Sequence, residues 1–312
     1  QEMQATALSR DGLRLEPPVT ILPSRPEGLG LTRDFRDPFV LKGPDGRWQM
    51  LLGSRDKSAG VVLLYTTDDP SGVSGWQFTA TLLREERYGM TAAECPCLVP
   101  LDGPAEDPAT RWGLFFGLLT SRDPATGRRN LTIATVGRFD GKSFIPEFEQ
   151  ELDFGTDAYA FQAFPDADGP IGIAWLANWT DIVKTADFPT AMTLPRRLLL
   201  RGDALLTPPV EGVLALRKAE ITCQTVADGL TLDLGNGAAE ILIELAAPGT
   251  PFTLILDCDD ATLELAVVQD TAGLAIRHQP QGRTAPNYAA LGARVSRLRI
   301  FLDSGSIEVF AD

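Results

Sequence analysis

Apolar positions along the 312-residue chain come in short runs, alternating or β-branched and aromatic, separated by clusters of Gly, Pro and Asp. No long stretch keeps a helical period, so the pattern predicts an all-β protein. One run recurs: Trp48-Gln49-Met50-Leu51-Leu52-Gly53 is echoed by Trp112-Gly113-Leu114-Phe115-Phe116-Gly117. Ile171-Gly172-Ile173-Ala174-Trp175 follows one period on, the tryptophans standing 64 and 63 residues apart. Each run is preceded by a shorter one (37–42, 94–99 and 159–164) and followed by a third such as 61–66 or 131–137. A repeated unit of about four antiparallel strands is the pattern of a β-propeller blade; a large sandwich with a chance Trp-x-x-x-x-Gly match is the alternative. In a propeller the first strand of each blade lines the central channel, which would bring Asp37, Glu94 and Tyr159 to one pocket.

After Arg217 the texture changes. Strands are predicted at 231–234, 239–245, 252–257, 262–268, 274–277, 297–303 and 306–310, a spacing typical of a β-sandwich. Pro208-Pro209 and the charged Arg217-Lys218-Ala219-Glu220 mark a linker. The expected division is a propeller domain over 1–214 and a sandwich over 215–312, both partial.

Composition narrows the function classes. With 44% hydrophobic and 22% charged residues the chain can build a packed core. Its longest apolar runs, 61–65 and 112–119, are far shorter than the roughly 20 residues a membrane helix needs, so no membrane partner is predicted. A formal charge of −14 and a pI near 4.6, with no Lys/Arg cluster, argue against nucleic acid. Four cysteines (Cys95, Cys97, Cys223 and Cys258) are too few for a disulfide framework at this length. The Cys-Pro-Cys spacing does not suit a zinc knuckle, and His278 is the only histidine. No metal or other cofactor is predicted. The chain starts at Gln1 with no secretory n- and h-regions, which reads as a natural start removed or cut away. Cytoplasmic or secreted location and oligomeric state stay open.

Glycoside hydrolysis needs two carboxyl groups flanking the bond, one to protonate the leaving oxygen and one to attack or to activate water. Asp37, in Phe35-Arg36-Asp37-Pro38-Phe39, and Glu94, in Ala93-Glu94-Cys95-Pro96, both stand on predicted inner strands. The nearby prolines favour extended backbone and remove a ladder donor, as suits a strand opening onto a channel. Taken singly, each is equally an ordinary turn acid.

Arg36-Asp37-Pro38, Glu94-Cys95-Pro96, the stretch Asp153-Phe154-Gly155-Thr156-Asp157-Ala158-Tyr159-Ala160, Ala174-Trp175-Leu176-Ala177-Asn178-Trp179 and Leu194-Pro195-Arg196-Arg197-Leu198 occur in that order. Together they resemble glycoside hydrolase family 32, the invertases, fructan hydrolases and related fructosyltransferases. The resemblance covers almost the whole chain and implies a five-bladed propeller followed by a β-sandwich. It implies Glu94 as general acid/base, Asp37 as transition-state stabiliser on fructose hydroxyls, and Arg36 as a substrate-binding residue, with Asp157 and Tyr159 as further substrate contacts. For Asp153, Trp175, Asn178 and Trp179 a packing or turn role is as good a reading, and Arg196 and Arg197 are expected to anchor the last blade.

Departures from the family pattern matter too. Ala93 and Cys97 stand where the family usually has an aromatic residue and Asp, a change expected to widen the pocket or alter the leaving-group site. The family's Trp-Met-Asn-Asp-Pro-Asn-Gly stretch, whose Asp is the nucleophile, is absent; Asp68-Asp69-Pro70-Ser71-Gly72 is the nearest match and reads as an outer hairpin turn. Residues 2–12 resemble the last strand of a second blade, so most of two N-terminal blades are expected to lie outside the chain, and 303–310 resemble a strand well inside the sandwich. The implied function is a retaining β-fructofuranosidase acting on sucrose or fructans without a cofactor. The alternatives are a non-catalytic fructan-binding propeller and another five-bladed glycosidase such as an arabinanase.

Overall fold

The computed structural model describes residues 2–89, 91–122, 129–155, 157–176, 190–222, 224–226, 229–235, 238–257, 263–280, 289–303 and 305–312. The chain divides into two compact units, 1–207 and 208–312. The division falls at Pro208-Pro209 rather than between 214 and 215, and a 3-10 turn, Glu211–Leu216, already belongs to the second unit. That turn is the only helical element among the described residues.

In the first unit β1 (Gln4–Thr6) pairs antiparallel with β2 (Val19–Leu22). Next comes a four-stranded antiparallel meander of β3 (Phe35–Lys42), β4 (Trp48–Arg55), β5 (Gly60–Thr67) and β6 (Gln77–Glu85). A second meander follows, of β7 (Ala93–Pro100), β8 (Arg111–Arg122), β9 (Arg129–Phe139) and β10 (Phe144–Glu151). In the third sheet β11 (Ala158–Phe164), β12 (Ile171–Leu176) and β13 (Ala191–Met192) lie in order, and β14 (Arg196–Arg197) also pairs with β12. A hairpin of β15 (Leu199–Arg201) and β16 (Ala204–Leu206) completes the unit.

The apolar runs are continuous rather than alternating because both faces of the middle strands are covered. In β5 every residue is buried. Val62 and Leu64 point into a core shared with Leu98, Trp112, Leu114, Phe116 and Leu118 of the second sheet. Val61, Leu63 and Tyr65 point the other way, onto Leu22, Phe35 and Trp76. The second sheet repeats this: Phe115 and Val136 leave the first core and join Phe161, Ala163 and Ala174 of the third sheet in another. Each large side chain so buried contributes roughly 1.5–3 kcal/mol, and stacking supplies the second buried face that an isolated meander would leave wet.

The repeated glycines mark where one sheet receives the next. A Cβ on Gly53 would lie 2.2 Å from the carbonyl oxygen of Ala93, and one on Gly117 would lie 2.7 Å from the Tyr159 ring. The third member of the repeat is corrected by the register. Gly53 pairs with Arg36 and Gly117 with Glu94, whereas Trp175 pairs with Tyr159. Trp175 therefore occupies the place of the two glycines, not that of Trp48 and Trp112, and its spacing of 63 residues from Trp112 is coincidental. Residues 68–72 form a turn between β5 and β6, where Asp69 accepts hydrogen bonds from the backbone N–H groups of Ser71 and Ser74.

The second unit contains β17 (Ala239–Glu244), β18 (Phe252–Asp257), β19 (Leu263–Asp270), β20 (Gly273–Pro280), β21 (Ala289–Leu291), β22 (Arg297–Asp303) and β23 (Ser306–Ala311). They form two antiparallel sheets, β17-β22-β23 and β18-β19-β20-β21. Val267 and Leu274 of one sheet share a core with Leu298 and Ile300 of the other. The predicted strand at 231–234 is not formed. Its Thr-Leu-Asp-Leu alternation mimics a strand, but Leu232 is exposed and no strand pairs with it among the described residues. Conversely, β21 was not predicted.

Candidate active site

The first strands of the three sheets share one irregularity. The register slips between Arg36 and Phe39, between Glu94 and Cys97, and between Tyr159 and Gln162, so two residues on β3, β7 or β11 face one on the next strand. At the first residue of each bulge φ is positive: 58° at Asp37, 50° at Cys95 and 51° at Ala160. Left-handed backbone at a residue other than glycine costs about 1–2 kcal/mol, and three such residues at equivalent places are held there by the packed sheets. Asp37 is thus left-handed rather than extended as its proline predicts. Pro38 and Pro96 fit the bulges for a different reason, having no N–H to leave unpaired where the ladder breaks.

The bulges put Arg36, Glu94 and Tyr159, rather than Asp37, Glu94 and Tyr159, at equivalent positions. These three side chains meet. Arg36 donates to Glu94 Oε1 from Nε at 3.2 Å and from Nη2 at 2.9 Å. Tyr159 Oη donates to Glu94 Oε2 at 2.8 Å. Both oxygens of a nearly buried carboxylate are therefore fixed, each by a donor from a neighbouring sheet. Burial, then the charge of Glu94 and the hydrogen bond to it, push the Tyr159 phenol up, so it remains a donor. Burial works against the charge on Arg36, but the hydrogen bond and charge of Glu94, followed by Glu2 and Asp34, raise its pKa further above its ordinary value.

Asp37 joins the cluster from the side. Its Oδ2 accepts the backbone N–H of Cys95 at 2.9 Å, and the Cys95 thiol points at the same oxygen from 3.7 Å. Burial, and after it the charges of Asp37 and Glu94, push that thiol up to about 12, so Cys95 stays neutral at physiological pH. Gln162 Nε2 donates to the Cys95 carbonyl at 2.9 Å and braces the bulge from β11.

Two carboxylates outside the sequence motifs also reach Arg36. Asp34 Oδ1 and Glu2 Oε1 each lie 2.8 Å from Nη1. Asp34 is buried and also binds Arg55. Burial alone would raise its pKa, but the Arg55 hydrogen bond and the Arg36 and Arg55 charges outweigh burial and lower it. Asp34 could have been noticed as the acid two residues before Arg36; nothing marked Glu2.

The remaining sequence candidates fall at the margin. Asp157 is partly buried on the approach to β11, two residues before Tyr159. Asp153 binds Arg196 at 2.8 Å and Asp166 binds Arg197 at 2.9 Å, which ties β14 into the third sheet. Asn178 and Trp179 lie outside the described residues. The two departures from the family pattern are both buried. Ala93 is fully buried in the core beside Leu98 and Leu118, and the fully buried Cys97 Sγ accepts the Ala163 N–H at 3.3 Å.

The chain is similar to known proteins in both sequence and fold. Raffinose invertase of Escherichia coli is 31% identical, aligned over all of this chain and 65% of its own length. Sucrose-6-phosphate hydrolase of Zymomonas mobilis is 29% identical over 99% of this chain and 63% of its own. The chain thus spans somewhat less than two thirds of these curated relatives. Among solved structures, a glycoside hydrolase family 32 protein from Bifidobacterium adolescentis superposes with a TM-score of 0.77 at 18% identity, covering 99% of this chain and 57% of that one. The Bombyx mori family 32 β-fructofuranosidase gives 0.70 at 24% identity, covering 99% and 65%. The profile of the glycosyl hydrolases family 32 N-terminal domain matches residues 1–209. With that match spanning the sheets that carry Arg36, Glu94 and Tyr159, the chain belongs to glycosyl hydrolases family 32.

Proposed function

We propose that this chain supplies the acid/base half of the active site of a retaining β-fructofuranosidase that releases fructose from sucrose or fructans. In this reading the three sheets of the first unit are blades of a five-bladed propeller, and the second unit is a β-sandwich. The single observation that carries the reading is the carboxylate of Glu94, held on one oxygen by Arg36 and on the other by Tyr159 at equivalent bulges of adjacent sheets.

In the first step a nucleophilic carboxylate attacks the anomeric carbon of fructose. The carbon–oxygen bond to the leaving sugar breaks, and Glu94 gives its proton to that oxygen. In the second step Glu94 takes a proton from water as the water displaces the fructosyl group from the nucleophile. Asp37 lies beside this centre through its bond to Cys95 and binds fructose hydroxyls more tightly as positive charge develops on the ring. Arg36 presents its Nε and Nη2 groups to Glu94 and its Nη1 to Glu2 and Asp34, so its main task is to hold the acid/base rather than the sugar. Asp157 contacts substrate from the β11 side. Glu2 and Asp34 are committed to Arg36 and are not the attacking carboxylate, which in a retaining pair stands about 5–5.5 Å from the acid/base.

The test is product analysis of the full-length protein with sucrose, raffinose, inulin, levan and arabinan. Fructose released from one or more of the first four, and none of the arabinan cleaved, is expected. Cleavage of arabinan alone, or binding of fructan without hydrolysis, would overturn the reading.

A further inference from the structure

We propose that Glu2 is a positioning residue for the acid/base, its carboxylate tying Arg36 to the start of β3 and taking up part of the guanidinium charge that faces Glu94. The inference rests on the reading of Glu94 given above, but its geometry stands apart from it. Glu2 Oε1 accepts from Arg36 Nη1 at 2.8 Å, while Oε2 accepts the backbone N–H of Phe35. One carboxylate thereby grips both the backbone and the side chain of the segment that enters the bulge. Gln4, two residues on, makes the same kind of link, its Nε2 donating to the Phe35 carbonyl at 2.7 Å. The backbone N–H and C=O of Phe35 are both held from the segment at the start of β1, and the guanidinium that follows cannot turn without breaking the Glu2 contact.

The charge has a direction of its own. A general acid beside an arginine is biased toward its ionised form, which cannot donate a proton. Here Arg36 is shared among Glu94, Glu2 and Asp34, and Asp34 is shared in turn with Arg55. Among the described residues, the titratable and charged groups around Glu94 are Arg36 from β3, Cys95 from its own strand with Asp37 bonded to it, and Tyr159 from β11, with Glu2 and Asp34 acting through Arg36. Of the two carboxylates that act through Arg36, Asp34 is already balanced by Arg55. Glu2 has no second cation at hydrogen-bond distance among the described residues. Loss of the Glu2 charge therefore leaves Arg36 less neutralised and Glu94 more firmly ionised.

The experiment follows the carboxyl carbon of Glu94 by NMR in full-length protein labelled with 13C-glutamate, its signal identified by loss in Glu94→Gln. Glu2→Gln keeps the length and an acceptor oxygen but removes the charge. Its melting temperature is expected to stay near that of wild type, while the Glu94 signal titrates at lower pH than in wild type, because Arg36 has lost a neutralising partner. Glu2→Ala, which loses both contacts, is expected to move the titration in the same direction. An unchanged or raised Glu94 titration in either variant overturns the proposal, whether or not the enzyme is active. Sucrose hydrolysis by wild type and Glu94→Gln, run alongside, tests the functional reading separately. An active wild type with an unchanged titration in Glu2→Gln would sink the role of Glu2 alone.

Discussion

Gly53→Ala is a change of one methyl group, at a residue that touches no substrate in this account. Its Cβ would stand 2.2 Å from the Ala93 carbonyl oxygen and 3.3 Å from the Ala93 carbonyl carbon, where ordinary contact begins near 3.4 Å. The obstacle is backbone, so no side chain can rotate away. Either β4 or β7 has to shift by about 1 Å, and the shift falls at the peptide that joins Ala93 to Glu94. Overpacking of this kind costs about 1–3 kcal/mol, or about 2 to 12 °C in Tm for a domain this large. A displacement of about 1 Å at a catalytic group costs about 10²-fold in rate. Thermal melting and steady-state kinetics on sucrose, both on the full-length protein, are the assays. The expected result is a folded protein with modestly lower Tm and kcat reduced by one to two orders of magnitude. Wild-type Tm and kcat together would show that the sheets are not seated on this glycine and would refute the explanation of the repeat.

Three other substitutions probe the cluster. Tyr159→Phe removes the donor to Glu94 Oε2, a bond to a charged group worth about 1.5–3 kcal/mol. Activity should fall by roughly tenfold or more, and the alkaline limb of the kcat/KM profile should move to higher pH, opposite to the direction expected for Glu2→Gln; a shift to lower pH would contradict the donor assignment. Asp37→Asn should lower kcat and kcat/KM together, because the carboxylate is proposed to favour the charged transition state, whereas a change in KM alone would make it a simple binding group. Asp34 has a depressed pKa in the folded protein, so its contribution to stability is present above the ordinary carboxylate value of about 3.9 and is lost as pH falls through the folded-state value. Asp34→Asn should therefore destabilise the protein at neutral pH and flatten the acid side of its stability curve, as denaturant melts at several pH values would show; an unaltered acid limb would contradict the Arg55 and Arg36 pairing.

The strands of the three stacked sheets were legible because burial on both faces leaves continuous apolar runs. The repeat over the first two sheets was legible because each places a glycine where the next sheet packs. What the sequence could not show was the bulge. Asp37 precedes proline, and proline alone argues for extended backbone; the left-handed turn there comes from the ladder of β3 on β4, which is a long-range fact. That one residue of slip exchanged Arg36 for Asp37 as the partner facing Glu94. Glu2 was invisible for a similar reason: it stands 34 residues from Arg36, and a lone acid at the edge of a strand looks like any solvated side chain. The strand expected at 231–234 shows the opposite error, in which local alternation was present but no partner edge was.

The central claim is that Glu94 donates the proton to the leaving sugar, and Glu94→Gln tests it directly because glutamine preserves size and polarity but has no proton to give. On sucrose, turnover of the full-length protein is expected to fall by about 10² to 10⁴, the range typical of general acid catalysis. On an aryl fructoside whose leaving group needs no protonation, the burst that reports the first step should survive nearly intact while breakdown of the fructosyl intermediate slows. Equal losses on both substrates in that first step, or sucrose turnover within a few-fold of wild type, would remove Glu94 from the role assigned to it.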